Sequence, residues 1–186
     1  FFKLKTAYEI KECDWSSDVC SSDLGPASLA RMAPYSGASW GEDGNIVLGT
    51  NAGLQSIPEN GAELKPVRDS KGGSFFPHLL PGSKAILFSP TPAQGNIANA
   101  GIHAYLRESG SSKLVLGGGY APTYVPGTAN LGHLLFVRGT ALYGVVFDPV
   151  ALEVRGSPVP MVDDLAESAT PSEAGGQYSI SRSGTL

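Results

Sequence analysis

Short apolar runs, separated by glycine-containing turns, recur along the whole chain. The clearest runs are residues 46–50 (IVLGT), 85–88 (AILF) and 134–137 (LLFV). After each comes a turn and then a second run, and in the first two cases, 54–57 and 102–106, apolar and polar residues alternate in that run. Alternation with a period of two is typical of a half-buried β-strand, and turn residues between such runs indicate hairpins. The pattern therefore predicts an all-β fold built from short antiparallel strands.

Four turn glycines mark a longer repeat in this pattern. Gly44, Gly82, Gly127 and Gly184 lie in turns between apolar runs and are 38, 45 and 57 residues apart. A period of about 40–50 residues is typical of the four-stranded sheet that forms one blade of a β-propeller. Because glycine adopts positive φ without steric cost, we expect such turns to use it at these positions.

The predicted fold is a partial, open β-propeller of about three to four blades, each a four-stranded antiparallel sheet. Each blade should bury its apolar side chains against the next one, so the blades stabilise one another. The predicted ranges are approximately 38–73, 74–119 and 120–168, with the start of another blade at 174–186.

Residues 1–24 resemble a sequence of foreign origin. The run DWSSDVCSSDL at 14–24 is what a common short-read sequencing adapter encodes, and KLKTAYEI at 3–10 resembles the adapter's other end. Segments of this kind are excluded from fold reasoning. We therefore expect 1–24 to be non-native and 25–186 to form the incomplete propeller. Since both cysteines, Cys13 and Cys20, lie in the excluded segment, they support neither a disulfide nor a metal site.

The composition favours the same fold and excludes some partners. The chain has 24 Gly and 14 Pro, too many for long helices, and 16% charged residues against about 25% in an average soluble domain. Without the three lysines and five acidic residues of 1–24, 10 basic and 12 acidic residues remain, a formal net charge of −2. The basic residues are scattered, which argues against binding to nucleic acid. No apolar run reaches the roughly 20 residues of a membrane helix, so we expect membrane contact only through a span outside this chain.

The repeated unit resembles the TolB-like or WD-type repeat of bacterial β-propellers, in which an aromatic residue precedes Ser-Pro-Asp-Gly and an apolar strand. It occurs here in altered form as WGEDG at 40–44, LPGS at 80–83 and VPGT at 125–128. A narrower resemblance is to the propeller that follows the kinase domain and a membrane span in many bacterial Ser/Thr protein kinases. The segments that carry it are YVPG at 124–127, HLLFVRGTAL at 133–142, VFDP at 146–149, LEVRGSPVP at 152–160 and YSIS at 178–181.

The resemblance implies a sensing or protein-interaction domain without catalytic activity, located in the periplasm or outside the cytoplasm. Its ligand would be a protein or a small molecule held at a face of the propeller. One alternative is the substrate-gating propeller of a prolyl-oligopeptidase-like serine hydrolase whose catalytic domain lies outside this chain. Another is a TolB-like periplasmic scaffold. The residues themselves leave the compartment open, since a chain without cysteine after residue 24 fits either side of the membrane.

The sequence offers no candidate catalytic, cofactor-binding or metal-binding residue. The catalytic-loop motifs of a protein kinase are absent, and we expect no Gly-x-Ser-x-Gly motif of a serine nucleophile elbow. The glycines at 117–119 are followed by Tyr-Ala-Pro, without the Lys-Ser/Thr and helix of a phosphate-binding loop, so they are predicted to connect two blades.

The possible metal ligands are also interpreted as structural. His78, His103 and His133 come from different predicted blades without a metal-binding spacing, and we expect them in the core or at the rim. The acidic residues Asp163, Asp164 and Glu167 lack the glycine-spaced oxygen ligands of a calcium loop, so a solvated loop is predicted.

Aromatic residues near the starts of the predicted blades have an ordinary structural use. Trp40, Phe75, Phe76 and Tyr124 precede or begin the apolar strands. Large aromatic side chains bury much apolar area, so we expect all four to pack between blades.

Overall fold

The computed structural model describes residues 28–30, 35–67, 72–91, 101–165 and 178–180, and these form an all-β structure, as predicted. The segment 1–24 and the insertion at 92–100 lie outside the described residues. None of the described segments is a helix of the length and apolarity that crossing a bilayer requires.

The described strands form an eight-stranded and a four-stranded antiparallel sheet, and the larger one divides into two units of four strands, so three four-stranded blades follow one another along the chain. The first, blade one, contains β1 (Tyr35–Trp40), β2 (Asn45–Thr50), β3 (Gly53–Pro58) and β4 (Lys65–Pro66). Blade two contains β5 (Ser74–Leu79), β6 (Ala85–Pro90), β7 (Ile102–Leu106) and β8 (Ser111–Leu116). Blade three contains β9 (Tyr120–Pro126), β10 (Gly132–Arg138), β11 (Ala141–Asp148) and β12 (Glu153–Val162). A single backbone pair, Thr50 with Ser74, links β2 of blade one to β5 of blade two.

Burial changes systematically across each blade. The second strands β2, β6 and β10 carry the continuous apolar runs and are the most buried. The last strands β4, β8 and β12 are mostly exposed. A strand that is apolar on both faces must be covered on both faces, which is the environment of a strand between two neighbouring sheets. The gradient therefore follows from stacking the blades side by side, with their last strands outermost.

The buried side chains lie between the blades. Blades one and two enclose one core, formed by Val47, Leu54, Leu79, Ile86, Phe88 and Tyr105. Blades two and three enclose a larger one, formed by Leu80, Ala85, Leu87, Ile102, Ala104, Tyr124, Leu134, Phe136, Val145, Phe147 and Leu152. The opposite face of blade three is partly covered by Leu165, Tyr178 and Ile180. Each sheet thus shields the apolar face of its neighbour.

The first strands β1, β5 and β9 lie next to one another where the blades converge. Each has a bulge, at which two of its residues oppose one residue of the second strand. Each bulge contains a residue with positive φ, namely Gly37 (84°), Phe76 (51°) and Ala121 (52°). Bulges bend a strand and re-aim its side chains. Their repetition places the following residues of the three strands around a common centre.

The turns between first and second strands agree only partly with the predicted glycines. Gly44 (φ 72°) and Gly82 (φ 73°) have positive φ, as predicted. In blade three, Gly127 also lies in the turn between β9 and β10, as predicted, but its φ is not positive. Here Ala129 (φ 55°) and Asn130 (φ 60°) carry the left-handed conformation, because the longer loop places its reversal after the glycine. Gly184 lies outside the described residues.

Gly49, at the contact of blades one and two, has no room for a side chain. A Cβ there would lie 2.7 Å from the Ser36 carbonyl oxygen, 2.8 Å from the Ser74 carbonyl oxygen and 2.9 Å from Pro77 Cδ. Because two of these neighbours are backbone atoms, Gly49→Ala should lower the free energy of unfolding by about 1–3 kcal/mol. Urea denaturation followed by circular dichroism measures the change. Gly117→Ala is the matched control, since nothing lies within 4 Å of its Cβ position, and equal effects at the two sites would contradict this contact.

Candidate ligand-binding face

The converging first strands enclose a cavity of about 360 Å³, which we call the channel cavity. It is lined by residues 37–38 of β1, 76–78 of β5, 121–123 of β9 and 178–180. Towards the turns that end these strands lies a second cavity of about 320 Å³, the axial recess. The two share His78, Thr123 and Ile180. Together they form a cleft along the centre of the blades, where a ligand would contact all three sheets and residues 178–180.

His78 stands at the junction of the two cavities. Burial lowers the pKa of its imidazole to about 4, while a backbone hydrogen bond with Tyr124 acts in the opposite direction. At neutral pH the ring is therefore uncharged, and one of its nitrogens can donate a hydrogen bond while the other can accept one. It can orient a ligand but brings no positive charge to the cleft.

Trp40 lies at the mouth of the axial recess, and its exposure contradicts one prediction made from the sequence. Phe75 and Tyr124 are buried as predicted, but Trp40 is 66% exposed, so the prediction that it packs between blades is wrong. The cause is its position at the end of β1, beside the turn after β3 of the same blade. There its Nε1–H donates a hydrogen bond of 3.1 Å to Glu59 Oε2, which holds the exposed ring in place.

Two polar groups in the turns of blades one and two complete the recess. Glu42 reaches from blade one to blade two, where its Oε2 accepts a hydrogen bond of 3.1 Å from the Gly82 N–H. The side chain of Ser83 is only 5% exposed, and among the described residues its Oγ has no hydrogen-bond partner. A buried hydroxyl without a partner costs free energy, and a polar group of a ligand would recover it. Ser83 also has a φ of 54°, and such non-glycine residues cluster at binding sites.

Asp43 and Arg107 form an ion pair next to these turns. The Arg107 guanidinium is 2.6 Å from the Asp43 carboxylate and donates a hydrogen bond to the Ser83 carbonyl oxygen. Burial acts to raise the pKa of Asp43, but hydrogen bonds from Arg107 and Asn45 outweigh it, and the pKa lies below its ordinary value. The pair fixes the turn of blade one against blade two, and its charges neutralise each other.

A third and larger cavity, the inter-blade groove, lies between blades two and three on the same face as the recess and has a volume of about 700 Å³. Its lining is largely apolar, with Lys84 and Glu108 as its charged residues. Leu80, Pro81 and Tyr124 line both the groove and the axial recess. The two cavities therefore adjoin, and together they make a depression on this face that extends outwards to Val150, whose side chain is 85% exposed.

The histidines proposed as structural residues do not come together. His78 is in β5, His103 is in β7 with its ring 5.8 Å from that of Phe88, and His133 is exposed in β10. Within the described ranges no three His, Cys, Asp or Glu residues are placed to hold a metal ion. Asp163 and Asp164 follow β12, and Glu167 lies outside the described residues. Gly117–119 connect β8 to β9, as predicted, and Arg138 donates hydrogen bonds to the carbonyl oxygens of Gly117 and Gly118.

A Gly-x-Ser-x-Gly spacing does occur at 37–41 (GASWG), contrary to the expectation that the chain has no such serine motif. A nucleophile elbow requires a strand-to-helix turn. Ser39 instead lies inside β1, and its Oγ accepts a hydrogen bond of 3.0 Å from the Leu79 N–H. The serine thus ties the first strands of blades one and two together.

Comparison with known proteins supports the fold alone. No family model and no curated protein sequence matches the chain. Among solved structures, it is similar to the calcium-binding protein regucalcin from Agrobacterium tumefaciens, with 13% identity, a TM-score of 0.50 and coverage of 69% of this chain and 45% of that protein. It is also similar to TolB from Acinetobacter baumannii, with 10% identity, a TM-score of 0.51 and coverage of 68% and 32% respectively. Both neighbours are β-propellers, so the chain has the fold of a partial, open β-propeller, and it spans less than half the length of either neighbour.

Proposed function

We propose that this chain is a non-catalytic binding domain of a larger protein, and that it holds a segment of a partner protein on the face with the axial recess and the inter-blade groove. The supporting observation is that these two cavities adjoin on one face, where Leu80, Pro81 and Tyr124 line both of them. In a propeller, loops from successive blades meet on one face, so they can contact one ligand together. A depression that runs outwards from the centre suits an extended polypeptide better than a compact small molecule.

The larger protein that we propose is a bacterial Ser/Thr protein kinase with this propeller outside the cytoplasm. The likeness of residues 120–186 to kinase-associated propellers supports this assignment. The coding sequence on either side of the chain tests it: a kinase domain and a membrane span are expected upstream. A hydrolase domain downstream would replace this proposal with the substrate-gating alternative, and a signal peptide alone would favour a periplasmic scaffold.

Selection from a phage-displayed library of random dodecapeptides tests the binding face. Selected peptides should bind the chain in fluorescence anisotropy, and Val150→Asp should weaken them tenfold or more, because it places a charge in the apolar end of the groove. Val159→Asp is the matched control: Val159 is 58% exposed and does not line the groove. Failure to select any peptide, or equal losses in the two variants, would contradict binding on this face.

A further inference from the structure

We infer that the axial recess takes an arginine side chain of the partner, which stacks on Trp40 and pairs with Glu42. This inference rests on the proposed function, because it names the chemistry of the group bound at the central end of the same depression. It begins from the exposed indole ring. Glu59 holds that ring by a hydrogen bond to Nε1, so its faces are presented in a fixed orientation at little entropic cost to a ligand.

The negative charge beside the recess favours a cationic group as its ligand. Among the described residues that line the recess, Glu42 is the one acidic residue and none is Lys or Arg. Glu59 adds a second carboxylate beside Trp40, and neither Glu42 nor Glu59 forms an ion pair with a described residue. His78 is neutral at pH 7, and the nearby Arg107 is paired with Asp43. An aromatic face flanked by unpaired carboxylates attracts a cation through both the ring quadrupole and direct charge.

Arginine fits this site better than lysine for geometric reasons. Its guanidinium is planar, so it stacks on an indole while its edge donates hydrogen bonds. The recess offers acceptors at more than one height: Glu42 lies at the turns, and the unpartnered Oγ of Ser83 is buried in the wall. A fork of several N–H donors can reach two such acceptors together, whereas an ammonium group is a compact point charge.

Tryptophan fluorescence tests the inference with small probes. The chain has two tryptophans, Trp15 and Trp40, so a Trp15→Phe background makes the emission specific to Trp40. Nα-acetyl-arginine amide should change this emission saturably, and the citrulline analogue, which is nearly the same shape without the charge, should bind at least fivefold more weakly. The lysine analogue should also bind more weakly than arginine. Added salt should weaken arginine binding.

Two variants that each remove one carboxylate charge test where the arginine probe binds. Glu42→Gln keeps an oxygen that can accept the Gly82 N–H, so it preserves the turn and should still weaken arginine binding at least fivefold. Glu108→Gln makes the same change of charge in the inter-blade groove and should change binding less than twofold. Equal binding of arginine and citrulline, equal binding of arginine and lysine, or unchanged binding in Glu42→Gln would overturn the inference. Selected dodecapeptides that bind the groove without a basic residue would overturn it while leaving the proposed function intact.

Discussion

Phe147→Ala is expected to lower the free energy of unfolding by about 3–5 kcal/mol, the usual cost of removing a buried phenylalanine ring. Phe147 is 0% exposed in β11, and its ring meets that of Tyr124 edge-on at 6.0 Å. The core that contains it also includes Leu87 and Ile102 of blade two. Loss of the ring should therefore disturb two blades together, because each sheet relies on the other to cover its apolar face. Urea denaturation of the full chain followed by circular dichroism measures the effect.

Val146 provides the control for this experiment. It is the neighbouring residue in β11, points to the opposite face and is 36% exposed, so Val146→Ala should cost less than about 1 kcal/mol. Should Phe147→Ala be unfolded without denaturant, Phe147→Leu, which retains part of the buried volume, should show a loss of about 1–2 kcal/mol. A small loss at Phe147, comparable to that at Val146, would contradict a shared core between blades two and three.

The fold could be predicted from the sequence because the patterns that specify it are local. The apolar runs that become β2, β6 and β10 are each confined to about six residues, and the turn at Gly82 is specified by one glycine with positive φ. The turn at Gly127 was placed correctly, but its conformation is not specified by one glycine. The loop after β9 is longer, and its left-handed residues are Ala129 and Asn130. Asparagine tolerates this conformation, but alanine rarely adopts it, so Ala129 gives no local signal for the reversal.

The candidate site could not be predicted from the sequence in the same way. Trp40, Ser83 and Tyr124 are separated by about 40 residues each and meet only because the blades are arranged around a common centre. Neither the exposure of Trp40 nor the lack of a partner for the Ser83 hydroxyl has a signal in the sequence, since both depend on contacts between blades. The sequence does hold one usable signal: these residues lie near the end of the first strand of their blade or shortly after it, and a repeat of the blade places such positions on one face.

Acidification should destabilise the chain through His78 between pH 6.5 and pH 4. Burial lowers the pKa of the folded imidazole to about 4, whereas the unfolded value is 6.5. In this interval the unfolded chain binds a proton that the folded chain excludes, so the free energy of unfolding falls as the pH falls. The loss should be about 2 kcal/mol between pH 7 and pH 5 and about 3 kcal/mol by pH 4. Urea denaturation at a series of pH values measures it.

His78→Gln separates this effect from the titration of carboxylates, since glutamine retains hydrogen-bonding groups but does not titrate. The variant should lose most of the pH dependence between 7 and 5. Asp43 and Asp148, whose pKa values are lowered, should destabilise both proteins only at more acidic pH, below the ordinary carboxylate value of 3.8. Burial raises the pKa of Asp43 in part, but hydrogen bonds from Arg107 and Asn45 prevail; hydrogen bonds from Ala151 and Arg155 lower that of Asp148. Equal slopes for the two proteins between pH 7 and pH 5 would show that the imidazole is solvated in the folded state, and the central cleft would then be more open than its geometry indicates.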